Sequence, residues 1–317
     1  TGYQFDGWYT AATGGTELSR EKKYIYYPTA ATTVYARFST IKYTVTYGVH
    51  SSGNGTLAAK VGSTSISSGI TVNYGSEVVF TASPSTGYEI EGWYSNADCT
   101  TSLNNGTNKT YTIESLTAAA TVYVKFKAKE YTITYKDQGG SNFSGTHESG
   151  YPTTHTYGTA TTLKTASKTG YTFEGWHKES ACTNQVTSLG ATAYTTNITL
   201  YAKWDAKKFT LEWDANGGTI TTPGSPEGGE VEAGTPLKAP TVTKDHYDHT
   251  GWNPEVPAVM PGEDVTYTAQ WTAHPYTITY HLDGGTGASN TTYTIESEEI
   301  TLPTPTKTGF TFAGWYD

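Results

Sequence analysis

The sequence predicts a mainly β protein built as a tandem array of small repeats. One phrase returns along the chain: Thr169–Trp176 reads TGYTFEGW, and variants of it end at Trp8, Trp93, Trp252 and Trp315. These tryptophans are spaced by 85, 83, 76 and 63 residues, as expected for repeats that differ in loop length. The composition, with 26 Tyr, 34 Gly and 1 Met in 317 residues, favours strands and turns.

The repeated phrase is itself predicted to be a half-buried strand. Tyr171 and Phe173 alternate with polar residues, which is the period of a strand with one apolar face. Strict alternation would place Trp176 on the solvent face. Gly175 can supply either a β-bulge or a strand-ending turn, and each would return the indole to the core. We therefore predict a structural core motif formed by Gly7, Trp8, Gly92, Trp93, Gly175, Trp176, Gly251, Trp252, Gly314 and Trp315.

The order of strand patterns around each phrase divides the chain into repeats. Residues 1–39 form the C-terminal half of a repeat, whose closing strand should turn Val34, Ala36 and Phe38 inward. The predicted complete repeats are 40–127, 128–205 and 206–272, and residues 273–317 form an N-terminal half. In the repeat 40–127 the opening strand Tyr43–Tyr47 and the closing strand Val122–Phe126 are expected to be ladder partners, and residues 128–205 repeat this plan. Helix is expected only in short turns after the Trp, such as Glu179–Thr183.

Connections between the repeats are short. Only four residues separate Phe126 from Tyr131, and such connections favour an elongated, stiff rod. The Gly- and Ser-rich insertion from His50 to Ile70 accounts for the extra length of the longest repeat. Because loop-closure entropy changes slowly with length, it is expected to be dispensable for folding.

Charge and hydropathy argue against two classes of partner. A net charge of −9 with 20 Lys and Arg disfavours nucleic acid and anionic membrane surfaces. The chain contains no apolar run of membrane-spanning length. It begins within a repeat, so we interpret it as an excerpt of a longer polypeptide.

Cys99 and Cys182 occupy equivalent positions in successive repeats, which do not normally meet, and free thiols are expected.

Candidate binding residues have simpler structural explanations. All eight Trp fall at framework positions, which indicates core packing rather than a sugar-binding platform. The cluster Asp245–His249 resembles a metal site but replaces the standard phrase, with His249 in the place of Phe173, and His246 and His249 would lie on opposite strand faces. We therefore expect no metal site there.

Three aspartates near Gly-Gly turns, Asp137, Asp214 and Asp283, could suggest calcium. They do not share one register relative to their strands, and turn capping is a sufficient explanation. No Ser-His-Asp or Cys-His set recurs, and no phosphate-binding glycine loop is present. The sequence predicts no catalytic residues, no cofactor and no enzymatic activity.

Several motifs together resemble one known family. The phrase Gly170–Trp176, the closing strand Leu200–Trp204 and the turn Trp213–Gly218 resemble the internalin B-type repeat, also called the Listeria-Bacteroides repeat. Residues 40–127, with Thr81–Pro84 before the phrase, are similar to its divergent branch. The resemblance implies small β-grasp-like units in tandem on extracellular proteins of the bacterial cell surface. It implies no catalytic residues.

The sequence is best interpreted as a non-enzymatic stalk or spacer whose partners are the neighbouring repeats of the same chain. One alternative is an adhesin whose variable loops bind a host or cell-surface glycan or protein. Tyr151 and Tyr157 are the main loop aromatics that would favour it. A second alternative is a subunit of an extracellular filament. The half-repeats at the two ends complement each other, so separate chains could associate head to tail.

Overall fold

The computed structural model describes residues 1–316, and it is nearly all β. The strands before residue 129 are β1 (Tyr3–Tyr9), β2 (Glu17–Ser19), β3 (Tyr35–Thr40), β4 (Lys42–Val49), β5 (Gly55–Val61), β6 (Thr64–Ile66), β7 (Ile70–Asn73), β8 (Val78–Pro84), β9 (Tyr88–Tyr94), β10 (Thr110–Ile113) and β11 (Ala120–Ala128). Those from residue 130 to 206 are β12 (Glu130–Asp137), β13 (Thr146–His147), β14 (Thr154–Thr156), β15 (Thr161–Thr162), β16 (Ala166–Ser167), β17 (Tyr171–His177), β18 (Gln185–Val186), β19 (Ser188–Leu189) and β20 (Ile198–Ala206). The remaining strands are β21 (Lys208–Asp214), β22 (Thr219–Thr222), β23 (Gly229–Glu232), β24 (Thr241–Thr243), β25 (Tyr247–Asn253), β26 (Val265–Ala273), β27 (Tyr276–Ile278) and β28 (Thr291–Tyr293).

The mainly β prediction is confirmed. One turn of 3₁₀ helix occurs at Gln138–Gly140, whereas Glu179–Thr183 forms a turn and no helix. Within the part of the chain that the structure describes, no helix has the length and apolar character needed to cross a membrane. The β-grasp assignment and the rod stay predictions.

The chain divides into two compact units. The first comprises Thr1–Thr134, Pro152–Leu163 and Thr187–Thr199, and the second comprises Tyr135–Tyr151, Lys164–Val186 and Leu200–Asp317. The repeat boundaries inferred from the sequence are a finer division and stay a prediction.

The first unit contains two four-stranded sheets, with strand orders β7-β4-β11-β9 and β10-β8-β5-β6. Strands β4 and β11 run parallel, with Val45 opposite Ala120 and Val49 opposite Val124. The expected ladder between opening and closing strands is therefore confirmed here. Both sheets contribute to one core, formed by Val45, Ala59, Val72, Val78, Phe80, Ala82, Ile90, Trp93, Leu116, Val122, Val124 and Phe126.

The prediction that His50–Ile70 is a dispensable insertion is wrong. The segment contains β5 and β6, and β5 lies between β8 and β6 in the second sheet. Ala59 of β5 is 1% exposed and belongs to the core, and Leu57 packs against it. Small residues hid this strand in the sequence, because Gly and Ser are typical of loops while Leu57, Ala59 and Val61 alternate at strand period.

The inward orientation expected for the first closing strand is also wrong. Val34 is 39% exposed and Phe38 is 59% exposed, and Ala36 is exposed as well. Strand β3 pairs with β1, and Phe38 contacts Phe5 with ring centroids 5.6 Å apart. No second sheet among the described residues covers this face, so the alternating apolar side chains remain in solvent.

The second unit contains a four-stranded sheet of order β23-β21-β26-β25. Strands β21 and β26 are parallel, with Leu211 opposite Val265, so a second ladder between an opening and a closing strand occurs here. Its small core consists of Leu211, Val231, Met260 and Tyr267. In the same unit β17 pairs with β18 and β20, and short ladders join β13 to β16, β22 to β24 and β27 to β28.

Candidate functional site

The five tryptophans of the repeated phrase differ in burial. Trp93 and Trp176 are 1% and 3% exposed, whereas Trp8, Trp252 and Trp315 are half-buried. Indole N–H groups donate to backbone carbonyls over a sequence distance of 12 to 15 residues: Trp8 to Glu21 (3.1 Å), Trp93 to Asn108 (2.8 Å), Trp176 to Lys164 (2.6 Å) and Trp315 to Pro303 (2.9 Å). The indoles thus anchor loops to strands.

The glycine before the Trp produces the predicted bulge. The register shifts between Phe173 and Gly175 in β17, and equivalent shifts occur in β1, β9 and β25. Gly175 has φ +114°, a conformation that side chains with a Cβ rarely adopt. The extra residue reverses the alternation, so that Trp176 points to the same side as Phe173. Of the two alternatives expected at this glycine, the structure therefore has the bulge and not the strand-ending turn.

The environment of Trp176 leaves no open stacking face. Its ring centroid lies 4.6 Å from that of Tyr135, 5.1 Å from Phe173, 5.5 Å from Phe143 and 5.6 Å from His147. A ligand sugar would have to displace one of these rings. This arrangement suits a packed core and does not suit a carbohydrate platform.

A second recurrent structure lies where one repeat joins the next. A single residue separates the closing strand of one repeat from the opening strand of the next at three positions: Ile41, Lys129 and Lys207. We call these the linker residues and the surrounding contacts the junctions. At the second junction the Lys129 N–H donates to the Gly87 carbonyl (2.9 Å), and the Lys129 carbonyl accepts from the Tyr157 N–H (2.9 Å).

The other two junctions repeat this pair of hydrogen bonds. Ile41 donates to Gly2 (2.9 Å) and accepts from Tyr74 (2.7 Å). Lys207 donates to Gly170 (2.9 Å) and accepts from Ala233 (2.9 Å). At the start of 273–317, His274 donates to His246 (2.7 Å), and no bond from its carbonyl to Ile295 occurs among the described residues. Both backbone groups of each of the three linker residues are therefore held, one by each neighbouring repeat.

Close packing on glycine reinforces the junctions. Gly2, Gly87 and Gly170 are buried, with φ between +79° and +83°. A Cβ on Gly2 would lie 2.5 Å from the Tyr74 ring, and one on Gly87 would overlap the Tyr157 ring. The glycine of the Thr-Gly pair is therefore required for two reasons. It forms the turn, and it lets the aromatic ring of the next repeat approach the backbone closely.

The third junction uses smaller partners. A Cβ on Gly170 would lie 2.8 Å from the Ala233 Cβ, and the Tyr171 hydroxyl donates to the Ala233 carbonyl (2.9 Å). The tight contact is therefore kept where Ala replaces the Tyr of the other junctions.

Sequence reasoning missed the role of the junction tyrosines. Tyr157 was expected to be a loop aromatic available for binding, but it is half-buried and lies edge-on to Tyr88 with ring centroids 5.6 Å apart. The available signal was a Tyr-Gly pair that follows the opening strand in both repeats, Tyr74-Gly75 and Tyr157-Gly158. Tyr151 is 38% exposed and stacks on His147 with ring centroids 3.8 Å apart.

The Asp245–His249 cluster is divided by the structure. His246 lies in a left-handed turn (φ +64°) before β25, not on a strand as expected, and its Nδ1 is 3.0 Å from the Tyr276 hydroxyl. His249 lies on β25 with ring centroids 5.5 Å from Trp252 and 5.3 Å from Trp271. This matches Phe173, which lies 5.1 Å from Trp176 and 5.2 Å from Trp204.

The three aspartates considered for calcium have structural roles. Asp137 is buried and accepts from Trp204 Nε1 at 2.8 Å, and Asp214 accepts from the Asn216 N–H at 2.8 Å. Asp283 is exposed beside Lys307. Within residues 1–316, no group of three or more His, Cys, Asp or Glu is placed to hold a metal ion.

Both cysteines are free thiols, as expected. Cys182 is buried and Cys99 is partly exposed, and burial raises the pKa of each thiol. A raised pKa lowers the thiolate fraction at neutral pH, so these groups lack the activated character of a catalytic cysteine.

Comparison with known families matches almost the whole chain. Residues 1–37, 131–203, 209–272 and 276–317 match the Listeria-Bacteroides repeat domain. Residues 43–130 match the divergent InlB B-repeat domain. The family resemblance inferred from the sequence is therefore confirmed.

Similar proteins occur in Evansella cellulosilytica and Listeria monocytogenes. A "Putative Gly-rich membrane protein" of Evansella cellulosilytica is 27% identical over 343 residues, covering 100% of this chain and 36% of that protein. A "Putative membrane protein" of the same organism is 28% identical over 62% of this chain and 29% of its own length. Internalin H of Listeria monocytogenes is 39% identical over 27% of this chain and 17% of its own length. This chain thus spans about a third or less of these relatives.

Among solved structures, the Bacillus anthracis TIE protein aligns with a TM-score of 0.27 and 11% identity, covering 76% of this chain and 55% of that chain.

Proposed function

Because this chain belongs to the Listeria-Bacteroides repeat domain family, we propose that it is a stiff, non-enzymatic spacer in a protein of the bacterial cell surface. It holds another region of that protein away from the cell. The names of the two Evansella relatives, which describe them as putative membrane proteins, support a location at the cell surface.

The junctions carry the proposal. A flexible string of domains needs linkers whose backbone can rotate, but Ile41, Lys129 and Lys207 each have both backbone groups hydrogen-bonded to flanking repeats. Each such bond contributes about 1 kcal/mol, and bending would break it. Bending at the second junction would also separate the Tyr157 ring from Gly87. Successive repeats should therefore keep a defined orientation.

The test is a distance distribution across the second junction. Spin labels are placed at two exposed positions, Lys60→Cys and Glu174→Cys, in a chain whose native cysteines are Ser. A stiff spacer gives one narrow distribution by pulsed electron–electron double resonance. Gly87→Ala, which forces the Tyr157 ring away, should broaden it several-fold.

Gly69→Ala is the matched control. Gly69 has φ +86° against +79° at Gly87, but no atom lies within 4 Å of its Cβ position. This variant carries the same backbone strain without the junction clash and should keep the narrow distribution. A broad distribution in the parent chain would contradict the spacer proposal, because the repeats would then move independently.

Two other functions make different predictions for the parent chain. If the chain is an adhesin, it will be retained on immobilised host glycans. Replacing Tyr151, the exposed loop aromatic, would then test whether its loop binds them. Head-to-tail self-association would appear as concentration-dependent growth in sedimentation velocity.

A further inference from the structure

Two histidines within residues 128–205 occupy positions that are aliphatic in the adjacent repeats. His155 on β14 lies opposite Tyr131 on β12. The equivalent ladder positions, on β7 and β23, hold Val72 and Val231, which are both 6% exposed core residues. A titratable ring has therefore replaced a core valine in this repeat.

The second histidine, His147, follows a glycine that recurs at the same place in the adjacent repeats. His147 pairs with Ala166 and lies two residues after Gly145 in the sequence. A Cβ added to Gly145 would lie 2.6 Å from the Trp204 ring. A glycine packed against an aromatic ring also occurs in the two adjacent repeats. Leu57 lies two residues after Gly55, which packs against Phe126. Ile220 lies two residues after Gly218, which packs against Trp271. His147 thus corresponds to Leu57 and Ile220.

The surroundings of His155 disfavour a positive charge. The ring is 0% exposed, its Nδ1 lies 2.8 Å from Thr161 Oγ1, and its Nε2 is buried without a hydrogen-bond partner among the described residues. The titratable side chains facing it are the phenols of Tyr131 and Tyr194, and neither is a carboxylate. Burial lowers the pKa of His155 and outweighs the opposing effect of the Ala191 backbone.

His147 is enclosed by aromatic rings. It stacks between Tyr151, at 3.8 Å between ring centroids, and Phe143, at 4.2 Å, with Tyr135 edge-on at 4.6 Å. Its Nδ1 is buried without a partner among residues 1–316, and burial lowers the pKa of this imidazole.

Carboxylates close to His147 in the chain are engaged elsewhere. Glu148 is paired with Lys164 at 3.2 Å and accepts from Thr165. Asp137 accepts from Trp204 and Ser144. Neither carboxylate is hydrogen-bonded to the His147 ring, and the ion pairs found within residues 1–316 include none with His147.

We propose that the repeat spanning residues 128–205 is an acid-labile element that opens as the pH falls from about 7.5 to 5, while the repeats on either side stay folded. Protonation of His155 places an uncompensated charge at a core position that holds valine in the adjacent repeats. Protonation of His147 places a charge within a half-buried stack of aromatic rings. The unfolded segment binds the proton more readily than the folded one. Stability from these groups is therefore complete above the ordinary histidine range and is lost as the pH falls through it.

The biological consequence rests on the proposed function. A spacer with one repeat that opens in acid would lengthen and gain a flexible point there, with its other junctions intact. Acid lability itself is a separate property, and it can fail while the spacer stays stiff, or hold in a chain that is not a spacer.

The test is hydrogen–deuterium exchange of the full chain at several pH values, with each rate divided by that of the unfolded chain at the same pH. Peptides from β12, β14 and β20 report on the histidine-containing repeat, and peptides from β4 and β26 report on its neighbours. Between pH 7.5 and 5.0 the protection of the first set should fall more than tenfold relative to the second. This window lies above the ordinary range of carboxylates.

Matched variants borrow residues from the adjacent repeats. His155→Val with His147→Leu restores the side chains found at the equivalent positions of residues 40–127, and it should abolish the selective loss. His177, which is buried with Nδ1 3.2 Å from the Gly175 carbonyl, is kept in every variant. Selective loss that persists in the double variant, or equal loss in all three repeats, would overturn the proposal.

The reciprocal variant transfers the property. Val72→His should make residues 40–127 lose protection in acid while remaining folded at pH 7.5. A Val72→His chain with pH-independent protection would show that a buried histidine at this ladder position does not confer acid lability. If the variant does not fold at pH 7.5, the decision rests on the double variant, which introduces only aliphatic side chains.

Discussion

Replacing Trp176 by Ala tests the role of the repeated phrase most directly. The indole is 3% exposed, contacts four aromatic rings and donates to the Lys164 carbonyl at 2.6 Å. Truncation removes the ring contacts and leaves that carbonyl without its donor. The cavity would open between β17 and the loop that the indole holds.

The cost can be worked from these contacts. A buried Trp removes roughly 200 Å² from water, which at about 25 cal/mol per Å² is worth about 5 kcal/mol. This is an upper value, because the unfolded chain already buries part of its surface. Measured Trp-to-Ala substitutions in cores cost about 3–5 kcal/mol. A repeat of this size has total stability of only about 5 kcal/mol or slightly more, so the variant repeat should be mostly unfolded at ambient temperature.

The assay is urea unfolding of the full chain followed by hydrogen exchange in β17 and β20, which isolates this repeat from its neighbours. Trp252→Ala is the matched control. Trp252 is half-buried at the same phrase position, next to His249, and should cost clearly less. Unchanged protection in β17 of the Trp176 variant would show that the indole does not support the core, and it would revive a ligand-stacking role.

Three further predictions concern local features. Gly175→Ala should lower the free energy of unfolding by about 1–3 kcal/mol, because φ is +114° and the new Cβ overlaps the Gln185 amide. Gly92→Ala lies at a bulge without positive φ and should lower it less. Thermal melts of the two variants measure the difference. Deleting residues 55–66 should unfold the segment 40–127, since β5 lies between β8 and β6, and retained strand signal in circular dichroism would contradict this. At pH 7.5 a thiol reagent should label the partly exposed Cys99 faster than the buried Cys182, and both more slowly than a free thiol, because burial raises each pKa; mass spectrometry resolves the two sites.

Features with a local cause were predictable. The alternation of Tyr171 and Phe173 predicts a strand from the two-residue period alone, and the out-of-phase Trp176 after Gly175 predicts a bulge or a strand-ending turn. The same pattern predicted that the opening strand of residues 40–127 pairs with the closing strand, as β4 does with β11, but it did not predict that the two strands run parallel. The free cysteines followed from their equivalent positions in different repeats.

Other features depend on which surfaces meet, and local pattern carries no information about that. Val34 and Phe38 alternate correctly for burial, but no second sheet among the described residues covers them, and they stay exposed. Tyr157 has the sequence context of an exposed loop residue, but its ring packs on Gly87 of the preceding repeat.

The sequence by itself therefore determined the mainly β class, the repeated phrase and the absence of any recurring catalytic set, because residue periodicity and glycine conformation act within a few residues along the chain. Only the tertiary structure decided that one residue joins successive repeats, that His50–Ile70 contains a core strand, and that His155 fills a valine position. Hydrogen bonds and burial at these sites are contributed by residues about 15 to 45 positions away in sequence, and such partners are identified only when the strands are paired.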